Sequence, residues 1–391
     1  MAIVAEDQLR VLVVGAGPAG LTLAAKLVQQ PGRHVEIVER ADELADVGYA
    51  IGLQPLGGNV LHGLGIHSKI TAQSEELKQF ELYDRNFNYK LDMDMAKVNA
   101  ESGASYMMKR TLVVQTLAEL LPDACIRFGE RVAHIEDQGA RKVKVQFQSG
   151  VESEYDVVVA CDGISSKTRS LMFPADTPAE FETGWTAWTW YTKRPEDLPA
   201  TNAREYWGNG ILVGIYVHHP EECMVVMVLP ARYDTQERAL ERANELVPQE
   251  KLDTDPVLRA VLSVPEGKLY PWQMRDIRAP RWHAGRLALC GDSACAFLPT
   301  AGVGASNAIR AAASLADELS RVNADLVHVG LEVYEKRCRE RVEANQQASR
   351  NLARACFVES SAINLFRDAL FTFLDPAVFV EEIAVSVRSV M

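Results

Sequence analysis

Four mostly apolar runs mark this chain, and each halts at a glycine or an acid: 11–14 (VLVV) before Gly15, 35–38 (VEIV) before Glu39, 155–160 (YDVVVA) before Cys161-Asp162-Gly163, and 286–290 (RLALC) before Gly291-Asp292. Runs with little polar alternation fit strands covered on both faces, the environment of a parallel sheet. Elsewhere the period lengthens to that of helices. A small-residue helix resumes at Leu21, and Val113, Leu117 and Leu120 share one face of a helix over 108–121. Another runs to about 319 with Ser306 or Asn307 as its cap, and 331–356 forms a charged helix with a solvated, salt-laced face. A last helical stretch, 362–380, carries Phe366, Phe371, Phe373 and Phe379 as packing residues. From Phe181 the pattern changes. Residues 185–191 (WTAWTWY), 203–207 (AREYW), 211–218 (ILVGIYVH) and 223–230 (CMVVMVLP) read as consecutive strands with polar turns, hence an antiparallel sheet. An exposed helical stretch follows over 235–262, and loosely alternating strands lie at 79–95. The glycine-rich segment 46–65 is a connection with a helical tail at 58–64, able to pass close to a ligand. The class is α/β with an inserted antiparallel sheet and C-terminal helices.

Between the first two strands, Gly15, Gly17 and Gly20 stand at GxGxxG spacing. The first permits a tight turn, the second lets backbone approach a pyrophosphate, and the third lets the helix lie on the strand. Glu39, 19 residues beyond Gly20, stands where a carboxylate accepts from both ribose hydroxyls, and its charge disfavours a 2′-phosphate. The unit therefore predicts FAD or NAD rather than NADP. A second strand–loop–helix unit places Asp292 at a strand end, Pro299, Gly302 and Gly304 in a loop, and a further helix N-terminus as an anion site. Asp162-Gly163 makes a sharp turn. Arg110 heads the helix over 108–121, where it is a solvated cation unless that helix end points at the cofactor.

The net charge of −12 over 391 residues argues against nucleic acid and anionic membrane as partners. No stretch is apolar and long enough to span a membrane. Seven cysteines, without CxxC or metal spacing, predict reduced buried thiols, no metal, and a cytoplasmic protein. The apolar stretch 11–25 is not read as a secretory signal, because Glu6 and Asp7 precede it and Pro18 interrupts it.

Three motifs in order then carry a resemblance over nearly the whole chain. GAGPAG at 15–20 with Glu39-Arg40, Cys161-Asp162-Gly163 with Ser166 and Arg169, and Gly291-Asp292 with Pro299, Gly302 and Gly304 resemble those of the single-component FAD-dependent aromatic hydroxylases. These are the para-hydroxybenzoate hydroxylase-like flavoprotein monooxygenases; GWTAWTW at 184–190 resembles a strand of their salicylate hydroxylase-like branch. The resemblance implies a Rossmann-like FAD-binding domain from 1–175 and 270–330, lending strands within 79–107 to the substrate side. It implies an antiparallel-sheet substrate domain at 176–269 and a C-terminal helical region at 331–391. FAD would be non-covalent, held by Gly15, Gly17, Pro18, Ala19, Gly20, Glu39 and Arg40 in the fingerprint, by Val132 at the adenine, and by Asp162. Arg110 would lie beside the flavin, Asp292 on a sugar or ribityl hydroxyl, and Pro299, Gly302, Val303 and Gly304 at the flavin's carbonyl edge. The chain departs from the family at Ser293-Ala294-Cys295, where Ala-Ala-His is common, at Val303, where Gln is, and at Arg310-Ala311, where Glu-Asp is. These departures bear on the substrate and on flavin reduction rather than on FAD.

The implied activity is hydroxylation of a small aromatic or heteroaromatic substrate through a flavin hydroperoxide, with O2 and NADH or NADPH. A homodimer or a separate flavin reductase is an implied partner. Candidate pocket groups are Trp188, Trp190, Tyr206, Tyr216 and His218. Tyr216 and His218 are two apart and share a sheet face; if it looks to the flavin they are the catalytic candidates, with His218 as base. Alternatives on the same fold are a flavin-dependent halogenase, suggested by the W-x-W spacing of Trp188 and Trp190, and an epoxidase or reductase of an isoprenoid or polyketide-like substrate. A non-catalytic flavin-binding protein would bind FAD without substrate-stimulated NAD(P)H oxidation.

Overall fold

A computed structural model describes residues 8–44, 49–139, 142–263 and 269–373. Two large sheets organise it. In the six-stranded sheet, Leu9–Val14 lies between Arg33–Val38 and Val157–Ala160, all parallel, and Leu287–Leu289 continues the parallel set. Val11, Leu12 and Val13 and the whole of Val157–Ala160 are fully buried, which is why these runs lack alternation.

The eight-stranded sheet runs in the order Cys295–Ala296, Tyr270–Arg278, Ala179–Lys193, Glu222–Pro230, Leu212–His219, Asn202–Trp207, Gln79–Tyr83, Tyr89–Asp94. The strand Tyr270–Arg278 belongs here, not to the cofactor unit to which a boundary after 269 assigned it. It pairs antiparallel with Ala179–Lys193, and no local signal in YPWQMRDIR names its partner.

Alternation gives this sheet two faces. Outward, Trp188, Trp190, Tyr206, Val213 and Val225 form a core. The helices Gln236–Leu246 and Pro256–Leu262 cover it with Ala239, Ala243, Val257, Leu258 and Val261, so the stretch over 235–262 is a packing layer rather than an exposed one. Inward, towards the parallel sheet, stand Trp185, Ala187, Trp207, Leu212, Met224, Val226 and Val228. Ala50, Leu298, Ala353 and Cys356 meet them there.

The glycine-rich segment is more ordered than its composition suggests. It holds the strand Ala50–Leu53 and the helix Pro55–Gly63, which starts at its proline; residues 46–48 lie outside the described set. The helix Val327–Cys356 ties the two sheets together. The Tyr334 hydroxyl donates to the Leu289 carbonyl at 3.1 Å, and Gln346 Nε2 donates to the carbonyls of Ile277 and Ala296 at 2.8 and 2.6 Å. Asn345, Gln346 and Ser349 are buried on the side facing the sheets, a polar packing face that no local pattern announces, while the expected salt-laced face is formed by Lys336 with Glu332 and by Arg339 with Glu335 and Glu343. The final helix, Ser361–Phe373, also departs from expectation. It buries Asn364, Arg367 and Asp368 and exposes Phe366, while Phe371 meets the Trp207 ring at 5.6 Å. The side chain of Phe373 and all of Phe379 lie outside the described residues.

Candidate active site

The glycine turn is forced by close packing. Gly15 has φ +108°, and a Cβ there would stand 2.6 Å from the Cys161 carbonyl oxygen; one on Gly20 would stand 2.0 Å from the Gly15 oxygen. The helix Pro18–Leu27 then begins without a side-chain cap, so its leading N–H groups face outward. Ala19 packs on the second unit, where a Cβ on Gly291 (φ +66°) would meet it at 2.8 Å. Glu39 braces the turn: it accepts from the Ala16 N–H at 2.8 Å and from the Ala41 N–H at 3.0 Å. Arg40 is exposed beside it. The Gly129 and Glu130 N–H groups bond to the Ala41 and Glu39 carbonyls, which brings the loop before Val132 alongside Glu39.

Arg110 is the first residue of the helix Arg110–Ala118. Its guanidinium reaches the turn, 3.5 Å from where a Cβ on Gly17 would be. It also lies over the Tyr49 ring at 6.0 Å, and Tyr49 stacks on Trp272 at 5.4 Å. Two positive features, a helix N-terminus and a guanidinium, thus converge on one turn, which makes chemical sense opposite an anion. Asp162 is occupied otherwise. It accepts from the Ser166 hydroxyl and the Thr168 N–H, and Ser166 caps the helix Lys167–Met172. Arg169 Nη1 donates to the Ser293 carbonyl at 2.9 Å, joining this turn to the one at Gly291-Asp292.

Asp292 is open to solvent yet walled in by protein, so it lines a recess rather than the outer surface. Burial pushes its carboxyl up to about 6, with Arg110 pulling the other way. After Pro299, Gly302 takes a left-handed conformation (φ +61°), and Gly52 on a facing strand packs closely on it, since a Cβ there would lie a tight 3.0 Å from the Gly302 oxygen. The helix Gly304–Ser320 starts at Val303, again with no side-chain cap. Neither Ser306 nor Asn307 caps it: the Ser306 hydroxyl accepts from the Gln54 N–H at 2.9 Å and Asn307 Nδ2 donates to the Val303 carbonyl at 2.9 Å. Both lie within the first turn, which leaves the helix end free for a ligand. The set fits FAD: a carboxylate at one end, an uncapped turn with a guanidinium, an acid in a recess, and a second uncapped helix end.

On the sheet, the candidate pocket residues separate. Trp188, Trp190 and Tyr206 point outward into the core beneath the covering helices. The two-residue period fixed which of them share a face, but the face itself is decided by those helices. Tyr216 packs on the inner face, and the strand's register shifts between Val217 and His219, where His218 sits. Tyr216 folds over Gly214 and donates its hydroxyl to Glu205 Oε1. His218 lies instead at the end of its strand, edge-on to Tyr191 at 5.0 Å. It lines a cleft of about 530 Å³ with Lys109, Gln115 and Glu222. Burial pushes its imidazole down to about 4, so it is neutral at pH 7.

Glu205 was missed by sequence reasoning. It is buried on the inner face, accepts from Tyr216 and from the Trp207 indole N–H at 2.6 Å, and burial raises its carboxyl above the usual range. The available signal was the pair Arg204-Glu205 within an otherwise uncharged strand, two adjacent charges that must point to opposite faces.

A family model described as an FAD binding domain matches residues 8–349. The 6-hydroxynicotinate 3-monooxygenase of Pseudomonas fluorescens is 27% identical over 354 residues, covering 87% of this chain and 90% of its own length. The 6-methylsalicylate 1-monooxygenase of Aspergillus terreus is 26% identical over 377 residues, covering 90% and 84%. Among solved structures, Klebsiella pneumoniae HpxO, complexed with FAD and uric acid, superposes with a TM-score of 0.86 at 21% identity over 97% of each chain, a likeness of fold.

Proposed function

This chain belongs to the family defined by that FAD binding domain and is an FAD-dependent monooxygenase, and we propose that it hydroxylates a small aromatic or heteroaromatic ring seated against the inner face of the antiparallel sheet. One observation carries the placement. The Arg110 guanidinium of the cofactor cradle lies over the Tyr49 ring, and Tyr49 stacks on Trp272 of the sheet, so cradle and sheet face meet at one point.

FAD, once bound, supplies oxygen activation and hydroxyl transfer, with NADH or NADPH as the electron donor. The residues hold and shield. Glu39 takes the ribose, the turn at Gly15–Gly17 and Arg110 take the diphosphate, and Asp292 takes a hydroxyl. The Gly302 N–H is spent on the Pro299 carbonyl at 2.9 Å, so the N–H groups of Val303 and Gly304 would be the donors to the flavin's carbonyl edge. Ala187, Met224, Val226 and Leu298 keep water from the ring. Tyr216, reaching towards the sheet centre over Gly214, orients the substrate in preference to His218 at the strand end. The W-x-W spacing supports no halogenase reading, because both tryptophans are core residues of the outer face. The seven cysteines are free and buried, which fits a cytoplasmic setting.

The test is flavin content and turnover. Acid denaturation is expected to release FAD into the supernatant. NADH or NADPH oxidation should be stimulated by some members of a panel of phenols and heteroaromatics, with a product that has gained one oxygen atom. Asp292→Ala should weaken FAD binding by about 1.5–3 kcal/mol. A protein that binds FAD but responds to no ring, or that needs halide, would overturn the reading.

A further inference from the structure

The Tyr216 hydroxyl has one proton, and it is given to Glu205. Glu205 in turn is filled from behind by the Trp207 indole N–H at 2.6 Å, so the carboxylate is held as an acceptor on the far side of the phenol. Gly214, the register partner of Glu205, makes this possible: a Cβ there would stand 2.8 Å from the Tyr216 hydroxyl oxygen. Tyr216 keeps partial exposure on the inner face while Glu205 is buried. With that proton committed, what the Tyr216 hydroxyl has left to offer a ligand is a lone pair. The indole N–H of Trp272, buried on the same side of the sheet without a partner among the described residues, is a neutral donor that suits a ring oxygen but does not neutralise an anion.

We propose that Glu205 sets the polarity of the ring site through Tyr216, so that the enzyme selects aromatic rings presenting an O–H or N–H donor and rejects aromatic carboxylates. The proposal rests on the hydroxylase reading above and names its substrate class. A carboxylate would meet the Tyr216 oxygen lone pair to lone pair, with a second carboxylate directly behind it. A hydroxyl or ring N–H would complete the chain from substrate to Tyr216 to Glu205. Leaving a polar group unmatched in such a site discriminates by about tenfold or more. Glu205 is a positioning residue here, since it acts through the phenol.

The experiment is ring binding to the FAD-loaded protein, read as a shift of the flavin absorbance spectrum. Two matched series are used: phenol, anisole and benzoate, and 4-hydroxyquinoline, 4-methoxyquinoline and quinoline-4-carboxylate. In wild type the donor member of at least one series should bind about tenfold more tightly than its ether, with the carboxylate weakest. In Glu205→Gln the side-chain amide can donate to the Tyr216 oxygen and turn its proton outward, so the donor-over-carboxylate ratio should collapse at unchanged flavin content. Tyr216→Phe should lose the donor preference altogether, and it carries the test alone if Glu205→Gln fails to fold. A wild type that prefers the carboxylate, or variants that keep the wild-type ratio, would overturn the proposal while leaving the hydroxylase reading intact. A flavin spectrum that no ring perturbs would overturn both.

Discussion

The two faces of the antiparallel sheet each carry a tyrosine bonded to a carboxylate, and they solve the same problem differently. On the outer face the Tyr206 hydroxyl donates to Asp255 at 2.6 Å. Arg204 sits between the acids there, 2.7 Å from Glu81 and 3.6 Å from Asp255, with its guanidinium over Tyr83 at 4.9 Å. On the inner face the Tyr216 hydroxyl donates to Glu205, whose other described partner is an uncharged indole. The outer network has a guanidinium between its two carboxylates and is closed by helices. The inner one has a carboxylate with no cation bonded to it among the described residues and a phenol that keeps partial exposure. A buried network whose acids share a cation holds a fold together; a carboxylate without one is where a ligand is expected to complete the set.

Removing the shared cation should therefore hurt the outer face most. Arg204→Leu leaves Glu81 and Asp255 without their cation, and a broken buried pair costs about 3–5 kcal/mol. Denaturant unfolding should show that loss, with ring selectivity unchanged in the protein that remains folded. A loss below about 1 kcal/mol would mean that the two faces are not distinct in this sense.

The paired tyrosines sharpen the comparison at a smaller scale. Tyr206→Phe removes a buried hydrogen bond to a charged acceptor and should cost about 1.5–3 kcal/mol of stability. Tyr216→Phe should cost less, because Trp207 still donates to Glu205. Its main effect should appear in ring affinity measured on the FAD-loaded protein. Equal stability losses in the two variants would break the contrast.

The cofactor cradle was legible in the sequence because backbone geometry leaves a residue signature. Only glycine fits at Gly15, Gly20 and Gly291, and those positions announce turns wherever they lie. The chamber was legible only by halves. Alternation predicts one face for Tyr216 and His218, but nothing local announces the register shift at His218 or says which face helices will cover. That choice is made by Gln236–Leu246 and Pro256–Leu262, which pack on Trp188 and Trp190 from more than forty residues downstream. Glu205 escaped because a single acid in a short strand reads as solvent-facing until the helix end at Cys356 is known to cover it.

The smallest expected effect is a pH dependence of stability, and its sign is diagnostic. Burial raises the Glu205 carboxyl above its unfolded value, although Tyr216 and Trp207 both pull it back down. An acid raised on folding holds its proton more tightly in the native state, so across that window the native protein binds more protons than the unfolded chain. Stability then falls as pH rises from the ordinary carboxylate range through the raised value, and the full cost persists above it. Glu205→Gln removes this slope. Thermal unfolding of wild type and variant, followed from acid towards neutral pH, should show the wild type losing ground to the variant as pH increases. No such gain is expected for Arg204→Leu, in which the outer acids lose their cation. If instead wild type gains on Glu205→Gln with rising pH, Glu205 is a compensated structural anion like those outside, and the inner face has no unmatched carboxylate for a ligand to complete.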